Sequence, residues 1–250
     1  MLTALIPARS GSKRVSGKNF RGLGNKALID WTLEFALKSP QIDKIIVSLD
    51  EKCEVSKSLN LFHFDEIFLN MQQNSLFNVN GNLWVHKRTD ESARDEARTI
   101  DVLREIYSPN DDLSGNLVVL QPTSPFRSFE EFASISKVFM ESNASSCVSV
   151  AETTSPHPLK SFRIDKSGKF EDMNFDVDLL STPEQKLKQY FHLDGGYYFI
   201  GLRKVIESGL FVDKDTVFFK REHPYTLNID NRFDFQIAEY LVENNVVALN

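Results

Sequence analysis

The stretch from Leu2 to Asn19, LTALIPARSGSKRVSGKN, limits what this chain can be more than any other segment. A short apolar run, of the kind that forms a buried strand, stops at Pro7. It opens into small residues that carry Arg9, Lys13, Arg14 and Lys18. Strand ends in open α/β sheets are where ligands gather. Ser10, Gly11, Ser12, Ser16 and Gly17 leave room for backbone N–H groups to approach phosphate oxygens, while fixed cations neutralise charge. A nucleoside triphosphate fits that combination; the alternative is a solvated basic turn. The Walker loop's terminal Gly-Lys-Ser/Thr is missing, and so is the dinucleotide glycine fingerprint.

A chain of 250 residues suits one large α/β domain, expected over 1–250. At this size roughly three quarters of the unfolded surface can be buried without disulfides or metal staples. Cys53 and Cys147 match no metal-ligand spacing and are expected as buried free thiols in a reducing compartment. A net charge of −6 opposes broad nucleic-acid binding, so the opening cations are a local feature. Nothing approaches the roughly 18 apolar residues of a membrane helix. The apolar start Leu2 to Ile6 is too short for a signal-peptide core, and a cytoplasmic location is expected.

Strand and helix patterns alternate over the first two thirds. Ala27 to Lys38 is predicted as a helix with Ile29, Leu33, Ala36 and Leu37 on one face. Lys44 to Leu49 and Asn116 to Leu120 read as buried parallel strands, and Ser146 to Val150 as a third. Ser128 is placed to cap the helix Phe129 to Met140, with Glu131 completing a capping box. This order implies a doubly wound parallel sheet. Leu61 to Trp84 gets no assignment, although Leu61 to Asn82 exceeds an ordinary connection by about a hairpin. Ser155 to Lys188 is left between a surface loop and an excursion that packs on a partner subunit. Gly196 to Ile200, Thr216 to Phe219 and Tyr225 to Ile229 are predicted strands. Arg232 to Glu243 is predicted as a closing helix that presents Phe235, Ala238 and Leu241 or Val242 to the sheet.

Four segments, in order, resemble the acylneuraminate cytidylyltransferases, which make CMP-activated sialic acids and related nonulosonic acids. They are IPARSGSKRVSGKN, KRTDESARDEARTIDV (Lys87 to Val102), LQPTSPFR (Leu120 to Arg127) and LNIDNRFDFQIAE (Leu227 to Glu239). The resemblance implies a Rossmann-like three-layer nucleotidyltransferase fold with a mostly parallel twisted sheet. A small excursion over 155–190 would make a homodimer. The implied reaction passes CMP from CTP to the anomeric hydroxyl of a nonulosonic acid, releasing pyrophosphate, with Mg²⁺ as cofactor and neither nucleic acid nor membrane as partner.

Such a transfer needs positioning and charge neutralisation more than covalent help. The nucleotide residues implied are Arg9, Ser10, Gly11, Ser12, Lys13, Lys18, Asn19, Arg88 and Thr99, with Arg9, Lys18 and Asp230 as the catalytic group. Asn19 matches the position that contacts the nucleoside. Structural alternatives stay open for several of these positions. Arg88 is also placed for a surface ion pair with Asp90 or Glu91. Asp95 is read equally as a helix cap or a binding group. Lys13 faces either phosphate or solvent.

The chain departs from the family pattern in two places. Where the family holds Mg²⁺ on two aspartates one residue apart, this chain has Asn228-Ile229-Asp230. Strand alternation would put positions 228 and 230 on one face, and the resemblance makes Asp230 the expected metal ligand with Asn228 a neutral oxygen donor; the site then binds the ion more weakly or recruits Asp194 as a further carboxylate. The alternative for Asp230 is a helix cap. On the acceptor side, His192-Leu193-Asp194-Gly195-Gly196-Tyr197 replaces the usual segment, and its Asp-Gly resembles pseudaminic-acid cytidylyltransferases. Gln121, Lys186, Lys188, His192, Asp194 and Tyr197 are the expected acceptor residues, the lysines lacking the bidentate geometry of the arginine expected there, and His192 reads equally as a satisfied, partly buried histidine. No side chain stands out as general base. The second reading is a non-catalytic nucleotide- or sugar-binding homologue, supported by Asn228. Activation of Kdo-type octulosonic acids is a third, opposed by Gln121 where that family carries an acidic residue.

Overall fold

The computed structural model describes residues 1–11, 15–50, 68–153, 155–171 and 176–247. Strand β1 (Leu2–Ala8) lies inside an eight-stranded sheet. An unbroken apolar run is stable there because neighbours cover both its edges and helices cover both its faces. Its neighbours, both parallel, are β4 (Lys44–Leu49) and β7 (Asn116–Val119). Outside β4 come parallel β6 (Leu83–Lys87) and antiparallel β5 (Ser75–Asn80) at the edge. Outside β7 comes antiparallel β9 (Phe191–Gly201), then β8 (Ser146–Glu152) and β10 (Thr216–Arg221), which run with β7. The small hairpin β2 (Gly22–Leu23) and β3 (Lys26–Ala27) stands apart.

Helices cover both faces, giving three layers. On one face α1 (Leu28–Lys38) and α3 (Phe129–Glu141) bury Ile29, Leu33, Phe132 and Ile135 with β1, β4 and β9. On the other, α2 (Thr99–Ile106) and α4 (Leu202–Ser208) bury Ile100, Leu103, Val205 and Ile206 against Leu5, Leu117 and Val119. Cys147 is a buried free thiol whose pKa burial pushes up to about 11, while Cys53 lies outside the described residues.

Several expectations need correction. Tyr225 to Ile229 is turn and loop, not strand; its backbone is tied by Ile229 N–H donating to Thr123 O at 2.7 Å. Leu37 is 46% exposed, because the apolar stripe of α1 is narrower than the sequence pattern. The closing helix α5 (Arg232–Glu243) packs Phe235 and Ala238 on Leu23, Leu28, Trp31 and Phe126 rather than on the sheet. Part of Leu61 to Trp84 is a hairpin, β5 turning at Gly81 into β6, and its first residues lie outside the described ones. Ser128 does cap α3, accepting from Glu131 N–H at 3.1 Å, but the Glu131 carboxylate turns away from the capping box.

That carboxylate pairs with Arg221, whose side chain is fully buried. Arg221 Nε lies 2.9 Å from Glu131 Oε2, Nη1 lies 2.9 Å from Asp194 Oδ2, and Nη2 donates to Phe126 O at 2.8 Å. One cation thereby joins β10, β9, α3 and the loop after β7. Gly196 must lack a side chain here, since a Cβ would fall 2.0 Å from Arg221 Nη1. Removing one partner from a buried charge cluster leaves the others uncompensated, which costs about 3–5 kcal/mol. Arg221→Met is expected to lose that much stability in urea unfolding; a loss under about 1 kcal/mol would show that the cluster adds little.

Candidate functional site

The sheet order reverses on either side of β1, and a cavity of about 230 Å³ opens at the carboxyl ends of the central strands. Its walls include Arg9, Gly11, Lys18, Asn19, Arg88 and Thr99 from the expected nucleotide group, with Gln121 from the expected acceptor group. Arg98, which sequence reasoning missed, also lines it. Its signal was available, as the cation beside Thr99 in the second segment.

The loop after β1 is anchored from below. Ser10 N–H and Oγ both donate to the Asp50 carboxylate at the end of β4, at 2.9–3.1 Å. Gly17 has φ +62°, a conformation side chains disfavour, and this turn starts the short helix Lys18–Phe20. Lys18 and Asn19 are thereby buried at the cavity wall. Lys18 Nζ donates to Ile229 O at 2.6 Å and lies 3.5 Å from Asp230 Oδ1, so the two ends of the chain meet here. Asn19 Nδ2 donates to Arg9 O at 2.9 Å, which leaves its buried Oδ1 as an unused acceptor. A ligand N–H can satisfy that atom. Arg9 Nη1 donates to Asp95 Oδ1 at 2.6 Å. Asp95 therefore holds Arg9 and does not cap α2; Asp101 accepts from Arg98 N–H at 2.8 Å instead. Ser12 and Lys13, like Arg14, lie outside the described residues.

Arg88 is 5% exposed, so it is no surface ion pair with Asp90 or Glu91. Its Nε donates to Ser48 Oγ at 2.9 Å and its Nη1 to Ser92 O at 3.3 Å. Ser48 Oγ also meets His86 Nδ1 at 3.0 Å. His86 Nε2 faces Glu105 Oε2 at 3.7 Å.

At the metal position, Asn228 and Asp230 stand together although their segment is not a strand. Asn228 Nδ2 donates to Asp230 Oδ2 at 2.9 Å, and its Oδ1 accepts from Ser124 Oγ at 3.2 Å. Asp230 is half-exposed. It does not cap α5, a role Asn231 fills by accepting from Phe233 and Asp234 N–H groups. Among the described residues no group of three or more His, Cys, Asp or Glu side chains is arranged as a metal site.

The acceptor group divides. Gln121 lines both the first cavity and an adjoining hollow of about 360 Å³, whose walls include Thr99, Tyr198 and Phe211. Tyr198, not Tyr197, reaches that hollow. Tyr197 is fully buried among Phe35, Phe132 and Phe199, and burial raises the pKa of its hydroxyl far above the usual phenol range. Asp194 is interior as well. Its oxygens accept from Ser149 Oγ, Gly196 N–H at 3.0 Å and Arg221 Nη1, which leaves it no place as a metal or acceptor ligand. The cause is an irregularity in β9, where the pairing with β8 shifts between Val148 and Val150 and Gly195 takes φ +75°. Such a bulge resets which residues face inward. His192 contacts Thr153 Oγ1 at 2.8 Å and lines a different, apolar hollow with Phe191, Leu193 and Phe218. Lys186 and Lys188 are exposed and off the cavity.

His86 carries a pH signature. Burial, reinforced by the nearby Arg88 charge and opposed by Glu105, lowers its pKa to about 4. Its unfolded value is about 6.5, so below that pH the unfolded chain takes up a proton that the folded chain refuses until about 4. Stability therefore falls as pH drops through this window. Between pH 7 and pH 5 the native protein is expected to lose about 2 kcal/mol more than His86→Asn. Parallel loss in the two proteins would contradict the assignment.

Comparison with known proteins finds relatives along nearly the whole chain. The family described as Cytidylyltransferase matches over residues 3–63. The chain is 26% identical to an N-acylneuraminate cytidylyltransferase of Escherichia coli over 95% of its own length, and spans 51% of that relative. It is 27% identical to a CMP-N,N'-diacetyllegionaminic acid synthase of Legionella pneumophila, over 99% of both chains. Its fold matches a CMP:2-keto-3-deoxy-manno-octonic acid synthetase structure complexed with CTP, with a TM-score of 0.59, 14% identity and coverage of 98% of this chain and 99% of that one. No helix among the described residues is long and apolar enough to cross a membrane. The resemblance to the acylneuraminate cytidylyltransferases thus holds along nearly the whole chain.

Proposed function

We propose that this chain transfers CMP from CTP to the anomeric hydroxyl of a nonulosonic acid. The hydroxyl oxygen bonds to the α-phosphorus, the bond to the β-phosphate breaks, pyrophosphate leaves and the hydroxyl proton passes to solvent. The observation that carries this reading is the convergence of Arg9, Lys18, Asn19, Arg88, Thr99 and Gln121 on one cavity, with Asp230 against Lys18. Arg9 and Lys18 neutralise the triphosphate and the charge that develops on the departing pyrophosphate. Asn19 Oδ1 supplies an acceptor for the nucleoside. The acceptor sugar lies toward Gln121 and Tyr198 in the adjoining hollow.

Mg²⁺ belongs to this proposal. The half-exposed Asp230 carboxylate fits an ion held by one protein carboxylate and substrate phosphates, with Asn228 as its neighbour. When bound, the ion would align the triphosphate and lower the pKa of the attacking hydroxyl. Residues 155–190 are proposed as the excursion that joins two copies, supported by the exposure of Phe162, Ile164, Phe170 and Val177. A second copy would also give Lys186 and Lys188 a route to the acceptor carboxylate. A cytoplasmic location is proposed with it.

Asn228 favours one other reading, a homologue that binds nucleotide without turning it over. Pyrophosphate release from CTP, Mg²⁺ and a panel of sialic, legionaminic and pseudaminic acids separates the two: release supports transfer, and CTP binding without release supports the binder. In the active protein Lys18→Ala is expected to lower kcat about 10²–10³-fold with the fold intact. A near-native rate would remove Lys18 from phosphate binding. Asn228→Asp replaces an amide–carboxylate hydrogen bond with two facing carboxylates, so it is expected to lower the metal-free Tm and tighten the Mg²⁺ titration. An unchanged titration would separate position 228 from the ion.

A further inference from the structure

The buried polar groups behind Arg88 form a ring of contacts, hydrogen-bonded except between His86 Nε2 and Glu105. Arg88 has donors only, so Ser48 Oγ accepts from its Nε at 2.9 Å. The Ser48 hydroxyl hydrogen then goes to His86 Nδ1 at 3.0 Å. The Glu105 carboxylate, its Oε2 3.7 Å from Nε2, favours a hydrogen on that nitrogen and so the Nε2–H tautomer, which leaves Nδ1 as the acceptor. Glu105 in turn accepts from Ser92 Oγ at 2.7 Å and from Thr89 Oγ1. Ser92 closes the circuit, its carbonyl accepting from Arg88 Nη1 at 3.3 Å. Ser48, His86 and Ser92 are each at most 2% exposed, and neither Ser48 nor His86 lines the cavity that Arg88 lines.

We infer that Ser48 and His86 are positioning residues for nucleotide binding, holding the Arg88 guanidinium toward the cavity before the ligand arrives. The inference rests on the CTP reading above. A long arginine side chain otherwise loses its rotamer freedom on binding, and fixing it beforehand spares that loss. Removing the Ser48 hydroxyl takes away the acceptor of Arg88 Nε, and removing the His86 acceptor releases the Ser48 hydroxyl that supplies it, in neither case at the cavity wall.

The test is calorimetric titration with CTP in Mg²⁺ of the native protein, Ser48→Ala, His86→Leu and His86→Asn. Asparagine keeps an acceptor oxygen near the position of Nδ1; leucine does not. Ser48→Ala and His86→Leu are expected to weaken CTP binding about tenfold, and His86→Asn to stay within about threefold of native. A purely structural role would not separate asparagine from leucine in Kd once both are folded. Equal Kd for native protein and Ser48→Ala overturns the inference and leaves the CTP reading standing. Native protein that gives no heat with CTP removes that reading and the inference with it. Failure of all three variants to fold assigns the ring to stability alone and also overturns the inference.

Discussion

The ammonium of Lys18 is the contact on which the site depends. It is buried at the mouth of the first strand, yet its acceptor is the carbonyl of Ile229, 2.6 Å away, with the Asp230 carboxylate at 3.5 Å. A charge taken out of water must be paired or strongly hydrogen-bonded, and this one is met by a segment 211 residues on. The opening loop and the start of the closing helix are therefore placed by the same interaction. A cation and a carboxylate thus arrive together at one cavity.

Two buried arginines extend that logic into the walls. Arg221 ties Asp194, Glu131 and Phe126 O together, fixing the path of β9 and of the loop after β7. Arg127, equally buried, donates to Gln121 O, Gly196 O and Thr32 Oγ1. Gln121 thus has its backbone held from behind while its side chain faces the cavities. Gly195 is confined in the same place, since a Cβ there would lie within 2.9 Å of Ser124 Oγ and Gln121 Oε1. The groups behind Arg88 hold the opposite wall in a similar way. The cavity walls are largely loops, and buried charges hydrogen-bond them in place.

Much of this was legible in the sequence where local pattern and spatial position coincide. Continuous apolar runs marked β1, β4 and β7, and the residues just past a strand end are placed by that end, so Arg9, Lys18 and Gln121 come together at one cavity. Arg88 and Thr99 are likewise set by the end of β6 and the start of α2. The expected acceptor group was less legible because strand alternation fails in β9. A shifted pairing register and a left-handed glycine turned Asp194 and Tyr197 into the interior and brought Tyr198 out, and no local pattern announces such a bulge. Asn228 and Asp230 met for a reason other than the one the sequence suggested: a hydrogen bond within a loop, not a shared strand face. The Ser48–His86–Glu105 connection was invisible because its members come from β4, β6 and α2, residues that only the sheet order brings together.

The most direct measurement is a crystal structure grown with CTP and Mn²⁺, the metal located by its anomalous signal. The account predicts the triphosphate between Arg9 and Lys18, the nucleoside against Asn19, and the metal peak beside Asp230. Nucleotide bound away from Lys18, or a metal peak remote from Asp230, would contradict it.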